Sequence, residues 1–390
     1  MSAAQSALIT LPEQVQLADT VARFVRERYA HRDWRTIVDS PAGMCTTRWQ
    51  AMADLGWLGL GLPESCGAYG GGLQDALTVI EGLAAGLAPE PLASSVLVCG
   101  DLIASAISRS PTGATRTRLE NLIERIVAGQ CRLAFAHDEG GNGFTATQLA
   151  STAHAVETGW SLAGSKRLVA DAPHADTLIV SARIAGAAGD DAIALFLVPV
   201  ATPGLRLHAM AGFDRRRLGD VRFDGLLLPP EALLVAPGEA VAAIRRALGR
   251  SVCALAAEAS GLCGWLTQAT REYLTGRRQF GVALVSFQVL QHRLVEMQIA
   301  LEELRTAARI AAISCEAGEP DGVLVSAAKV KVARAGRFIG YQAIQLFGGM
   351  GMTDEMPVGD YAKRLEAIAL LAGGVDVHLD RIVAAGGVTG

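Results

Sequence analysis

The feature that most restricts what this chain can fold into is the spacing of its apolar residues, which changes twice along 390 residues. From about Leu11 to Ile126 they recur every three or four positions, as Val15, Ala18, Val21, Ala22 and Val25 do, the pattern of helices with one apolar face. From about Gly129, short apolar runs (Arg132–Ala136, Thr177–Arg183, Ala192–Pro199) are separated by Gly, Asp and Pro clusters, which is strand spacing. After Pro229-Pro230-Glu231 the helical spacing returns in long segments over Glu239–Arg277, Phe287–Ala317 and Asp321–Leu346. The spacing predicts an N-terminal all-α domain over 1–127, a small middle β domain over 128–232 and a C-terminal four-helix bundle over 233–390. Small residues on the first long segment, Ala254, Ala256, Ala257, Gly261 and Gly264, allow close helix approach.

Within the middle segment, Ile193–Val200 is apolar at nearly every position and predicts a strand covered on both faces. Val221-Arg222-Phe223-Asp224 alternates and predicts one wet face. The stretch Leu62–Gly72 carries glycine at a density that marks a loop with left-handed residues.

With 51% hydrophobic and 19% charged residues the chain can bury a large core. Its net charge of -4 is spread evenly, with no basic stripe to neutralise a nucleic acid. The seven cysteines (Cys45, Cys66, Cys99, Cys131, Cys253, Cys263, Cys315) include no C-x-x-C pair, and their scatter argues against a zinc site or a disulfide framework. No metal site is expected. The N-terminus lacks the basic and apolar regions of a leader, and no apolar run reaches the ~20 residues of a bilayer span, so a cytoplasmic protein is expected.

Several local motifs occur in a fixed order. They are Leu55-Gly56-Trp57-Leu58-Gly59-Leu60-Gly61-Leu62-Pro63-Glu64, Gly159-Trp160-Ser161-Leu162-Ala163-Gly164-Ser165-Lys166, Tyr273-Leu274-Thr275-Gly276-Arg277-Arg278-Gln279-Phe280-Gly281, Phe287-Gln288 and Gln345-Leu346-Phe347-Gly348-Gly349-Met350-Gly351-Met352. With the α, β, bundle order, they make the chain resemble the acyl-CoA dehydrogenases over essentially its whole length. The resemblance implies a barrel-like middle domain, a tetramer, and FAD shared across a subunit boundary. One subunit's β domain holds the flavin and the acyl thioester, and its neighbour's bundle holds the ADP half. It also implies an acyl-CoA substrate and an electron-transfer flavoprotein as partners.

On the ADP side the resemblance is kept. Arg277 stands at the pyrophosphate position, where a planar, always-charged fork suits phosphate oxygens. Phe280 and Gln288 match positions near the adenine, and Gln345 with Gly348 and Gly349 matches the Q-x-x-G-G turn. Outside the resemblance, Arg277 reads as a surface ion pair and the glycines as a helix-ending turn.

On the flavin side it is not kept. Where the family carries Trp-x-Thr, this chain has Leu168 and Ala170, with neither an aromatic face nor a hydroxyl. The upstream Thr-Glu-Pro turn is replaced by Ala136-His137-Asp138-Glu139-Gly140-Gly141-Asn142-Gly143. The family's proton-abstracting glutamate aligns with Ala372, and its alternative position on the first bundle helix aligns with Ser251; neither can abstract a proton. Glu258 is the candidate for a relocated base, or else the partner of an arginine on an adjacent helix. Glu366 reads as a surface pair with Arg364, and Asp376 falls near the cofactor's ADP side. His137, His174, His292 and His378 lack metal-ligand spacing. Arg215-Arg216-Arg217 reads as a CoA-phosphate contact or a solvated run. The family's CoA-contacting arginine aligns with Val252, with Arg250 displaced by two.

The expectation is a dehydrogenase-type subunit that completes the FAD site of a homologous partner carrying the catalytic Glu, as in α2β2 assemblies of actinobacterial steroid degradation. A self-sufficient dehydrogenase using Glu258, a flavin-dependent monooxygenase and a structural subunit without FAD are the alternatives.

Overall fold

The computed structural model describes residues 12–110, 113–141, 144–189 and 192–387. The N-terminal stretch read above for a leader, and Asn142 and Gly143, lie outside them. In chain order the helices are α1 (Pro12–Arg28), α2 (His31–Asp39), α3 (Thr46–Asp54), α4 (Leu73–Ala84), α5 (Asp101–Arg109), α6 (Ala114–Val127), α7 (Ala240–Gly276), α8 (Gln288–Glu316), α9 (Val323–Phe347), α10 (Val358–Leu370) and α11 (Val375–Ala384). Between α6 and α7 run β1 (Leu133–Ala136), β2 (Thr152–Val156), β3 (Gly159–Ala170), β4 (Thr177–Ile184), β5 (Ile193–Pro199), β6 (Leu205–Ala211), β7 (Arg217–Leu228) and β8 (Leu233–Val235). The chain packs as two compact units.

The unit formed by Thr36–Ala76 and Pro89–Ser251 contains the sheet, in the order β6-β7-β3-β2-β4-β5-β8, with β1 parallel to β4. β5 is buried along Ile193–Val198, as its unbroken apolar run predicts, and β7 alternates between buried and exposed through Val221–Asp224. Phe196 meets Trp160 edge-on at 5.3 Å within a core that includes Leu162, Val180 and Phe223. β3 bulges between Leu162 and Gly164 and again between Lys166 and Val169. Gly164 sits at φ +137, and a Cβ there would lie 2.4 Å from the Ser151 hydroxyl, so only glycine fits.

The loop after α3 is as its glycines predict, with Gly61, Gly67, Gly70 and Gly71 at positive φ. Leu92–Arg109, 18 residues, is long and apolar enough to cross a membrane by length and composition only; it stays short of the ~20 residues expected of a bilayer span, and 78% of it is buried inside the fold, where it serves as core helix. Its Asp101 is neutralised by Arg246 Nε at 2.7 Å and Arg250 at 3.0 Å. Arg250 is thereby committed to a buried carboxylate.

The other unit, built from the residues up to Arg35, Leu77–Ala88 and Val252 onward, contains the bundle. A Cβ on Gly261 of α7 would come within 2.0 Å of the Glu81 carbonyl on α4, so the two backbones touch where the sequence supplies a glycine. Trp265 stacks on Tyr361 at 3.9 Å, and the Tyr361 hydroxyl donates to Ala85 O. Asp360, buried, accepts from Arg35 and His31, which hold its carboxyl below the usual range despite burial.

Candidate functional site

Arg277, Phe280, Gln288, Gln345, Gly348 and Gly349 are exposed, and three helix ends bring them to one end of the bundle. Tyr273, in the last turn of α7, stacks on Phe347, the last residue of α9, with centroids 4.3 Å apart. Arg293 of α8 donates to Gln342 of α9 at 3.1 Å. The first contact sets Arg277 beside the Gln345–Gly349 turn, and the second draws in the start of α8, where Gln288 stands. Between α7 and α8 a two-stranded hairpin pairs Arg278–Gln279 with Val282–Ala283. Phe280 at its tip is 90% exposed at φ +52, with its ring edge-on to Phe287. A non-glycine residue in that conformation and an uncovered phenyl ring both carry a cost. Gly348 lies at φ +62 with nothing within 4 Å of a would-be Cβ. Among the described residues, the Arg277 side chain has no hydrogen-bond or ion-pair partner. This cluster combines an uncommitted guanidinium, an aromatic face, two amides and open backbone. The sequence motifs marked its members, but not the Tyr273–Phe347 stack that assembles them.

Ala372, aligned with the proton-abstracting position, lies at φ +53 in the turn between α10 and α11. That turn is tightly held. Lys329 of α9, wholly buried, donates to Ala369 O at 3.0 Å and Gly373 O at 2.9 Å, and His378 Nε2 donates to Ala372 O at 2.8 Å. Burial, with Arg337 nearby, lowers the lysine to about 8, and burial lowers the histidine to about 4. The position is well defined, yet its side chain is a methyl group. Ser251 donates to Ala247 O inside α7.

Glu258 is buried on α7 and gripped by Arg364 of α10, Nε to Oε1 and a terminal nitrogen to Oε2, both at 2.7 Å. The reading as partner of an arginine on an adjacent helix is the one this geometry fits. The Glu366 reading is corrected: its carboxylate pairs with Arg337 and accepts from the Tyr341 hydroxyl, because Arg364 is already committed to Glu258. Asp376 is exposed in the first turn of α11.

In the sheet unit, Leu168 is 53% exposed at φ +49, and its N–H is taken by Asp220 Oδ1 at 2.9 Å. The upstream turn is stapled from below by a buried network that sequence reading missed. Lys166 Nζ, with no exposure, donates to Glu139 at 2.6 Å, to His137 O and to Ser181 Oγ. Glu139 also accepts the N–H groups of Ala150 and Ser151. His137 Nε2 donates to Thr145 O, so its Nδ1 accepts from the Ser181 hydroxyl at 2.8 Å. The one signal in the sequence was a lysine on the inward face of a strand. His174 is buried, with its Nδ1 3.6 Å from Asp171 Oδ1. The arginine run is not a solvated patch: Arg215 pairs with Asp39, and Arg217 caps the C-terminal end of α2 by donating to Val38 O and Ser40 O.

Burial, reinforced by the Lys166 charge, lowers His137 to about 4. Its folded pKa lies below the unfolded value near 6.5, so its contribution to stability is complete above pH 6.5 and lost as pH falls toward 4. His378 behaves alike. Between pH 6.5 and 5, before carboxylates titrate, each histidine is expected to remove roughly 2 kcal/mol. Denaturant midpoints at the two pH values should show this loss about halved in His137→Asn; an unchanged loss would contradict the buried neutral imidazole.

The chain matches the family models described as acyl-CoA dehydrogenase N-terminal domain over 11–130, middle domain over 134–226 and C-terminal domain over 241–387. It is 27% identical over 341 residues to the human mitochondrial short-chain specific acyl-CoA dehydrogenase, covering 86% of this chain and 80% of that one. Among solved structures it is similar to the Tcur3481-Tcur3483 steroid ACAD (TM-score 0.82, 29% identity, 96% and 98% of the two chains). It shares its fold with the ChsE4-ChsE5 complex from Mycobacterium tuberculosis (TM-score 0.85, 23% identity, 98% and 99%).

Proposed function

Because the chain belongs to the acyl-CoA dehydrogenase family, whose cofactor is FAD, we propose that it is the subunit of a two-chain dehydrogenase that lends ADP-side contacts to its partner's FAD and abstracts no proton itself. The observation that carries this reading is the contrast between two places in the same unit. The bundle-end cluster of Arg277, Phe280, Gln288, Gln345, Gly348 and Gly349 offers a cation, an aromatic face, amides and open backbone, a set that fits a pyrophosphate and an adenine. The turn at Ala372 keeps a fixed backbone and offers a methyl group.

FAD, when bound, supplies the hydride acceptor for α,β-desaturation of an acyl thioester. The α-proton needs a carboxylate within reach. Neither Ala372 nor Ser251 provides one, and Glu258 is spent on Arg364, so the base belongs to the partner. Leu168 and Ala170 offer a flavin neither an aromatic face nor a side-chain hydrogen bond, which supports the same division. The likeness to a steroid dehydrogenase supports a bulky polycyclic acyl-CoA as substrate, and the likeness to a structure named for an electron transferring flavoprotein supports such a protein as the electron acceptor. Of the domain divisions proposed, 232/233 falls in the gap between the middle and C-terminal family models, from 226 to 241, and 127/128 lies just before the N-terminal model ends at 130.

Co-expression with a homologous chain carrying Trp-x-Thr and a placed glutamate tests the proposal. The expected complex contains half as many FAD molecules as chains, and Arg277→Ala weakens FAD retention by roughly 10- to 100-fold. A chain that purifies alone, yellow and turning over an acyl-CoA, would refute it.

A further inference from the structure

We propose that Cys253 and Cys315 form a reversible disulfide, joining α7 to the last turn of α8, when the protein meets a hydroperoxide. Their Sγ atoms lie 3.4 Å apart, although 62 residues separate them in the chain. Closing to a bond of ~2.05 Å takes a movement of about 1.4 Å.

The geometry supplies that movement on one side. Cys253 is wholly buried in the interior of α7. Cys315 is half-buried in the final turn of α8, followed by Ala317 at the cap and Gly318 at φ +92 in an exposed turn. A helix end beside an exposed turn opens more readily than a helix interior. The other thiols lack this arrangement. Burial pushes Cys66, Cys99, Cys131 and Cys263 up, away from the reactive thiolate, and Cys45 faces Thr47.

Exposure sets the order of the chemistry. The Cys315 thiolate attacks one peroxide oxygen, the O–O bond breaks, and water or an alcohol leaves, giving a sulfenic acid. Cys253 then gives up its proton as its sulfur attacks Cys315 Sγ, the S–O bond breaks, and the hydroxide leaves as water with that proton. The two thiols lose two electrons and the peroxide oxygens gain them. In a reducing compartment such a bond forms under oxidant and is reversed by thiols.

Cys253 precedes Arg277, the residue just past the end of α7, by 24 residues, about 36 Å along the helix, so the bond leaves the bundle-end cluster untouched. Its effect falls on the bundle, closing a long loop in the unfolded chain.

The test treats the full chain, alone or with its co-expressed partner, with stoichiometric hydrogen peroxide, alkylates remaining thiols, and maps peptides without reduction. The expected product is a Cys253–Cys315 cross-linked peptide that dithiothreitol releases. Tm is expected to rise by about 5 °C, a rise absent from Cys315→Ser treated alike. Recovery of Cys315 as sulfinic or sulfonic acid with Cys253 alkylated, or of both residues alkylated, overturns the proposal.

Discussion

Replacing Glu258 with alanine is expected to lower the unfolding free energy by ~3–5 kcal/mol, because it leaves the Arg364 guanidinium buried without its carboxylate. Both side chains are about nine-tenths shielded, and both oxygens are engaged at 2.7 Å. Glu258→Gln should fall between alanine and wild type, since an amide keeps hydrogen bonds but not charge. The double replacement Glu258→Leu with Arg364→Met should recover most of the loss, as apolar residues of similar volume do when both ions are removed together. Denaturant titration of wild type, Glu258→Leu, Arg364→Met and the double variant closes a cycle that isolates the pair. A relocated base would behave differently: Glu258→Gln would abolish turnover at nearly unchanged stability.

Gly261→Val is expected to prevent α7 from seating against α4. The first added carbon would lie 2.0 Å from the Glu81 carbonyl oxygen and 2.9 Å from Ala84 Cβ, both on a helix backbone or next to it. No rotamer relieves a clash of Cβ with a carbonyl, so the helices must separate, and the loss is expected to exceed ~3 kcal/mol. Gly264→Ala serves as the control. Its nearest neighbour is the Arg305 guanidinium at 3.2 Å, the far end of a flexible side chain. Thermal unfolding should shift little for that variant and strongly for Gly261→Val; similar shifts for the two would argue against backbone contact at Gly261.

The elements were legible in the sequence because spacing reports which face is wet. The segments read at Glu239–Arg277, Phe287–Ala317 and Asp321–Leu346 are the helices Ala240–Gly276, Gln288–Glu316 and Val323–Phe347. β5 and β7 are buried in the patterns their residues spell. Less legible was what burial does to a charged residue. Lys166 and Lys329 look like surface lysines in a list of residues, and both are fully enclosed, held by acceptors from segments distant in the chain. The scatter of the cysteines similarly hid a pair whose sulfurs touch.

By itself the sequence determined the order of helical and strand segments, the positions where glycine is required, and the presence or absence of particular chemical groups. Alanine at 372 and leucine at 168 are facts of the sequence, and no packing can give them a carboxylate or an indole. The tertiary structure alone decided which groups meet: Arg364 with Glu258 rather than Glu366, the Arg215–Arg217 run with the end of α2, and Tyr273 with Phe347, which gathers the bundle-end cluster. The physical reason is that pairing energies depend on distance and burial, and helix packing fixes both between residues the chain keeps far apart.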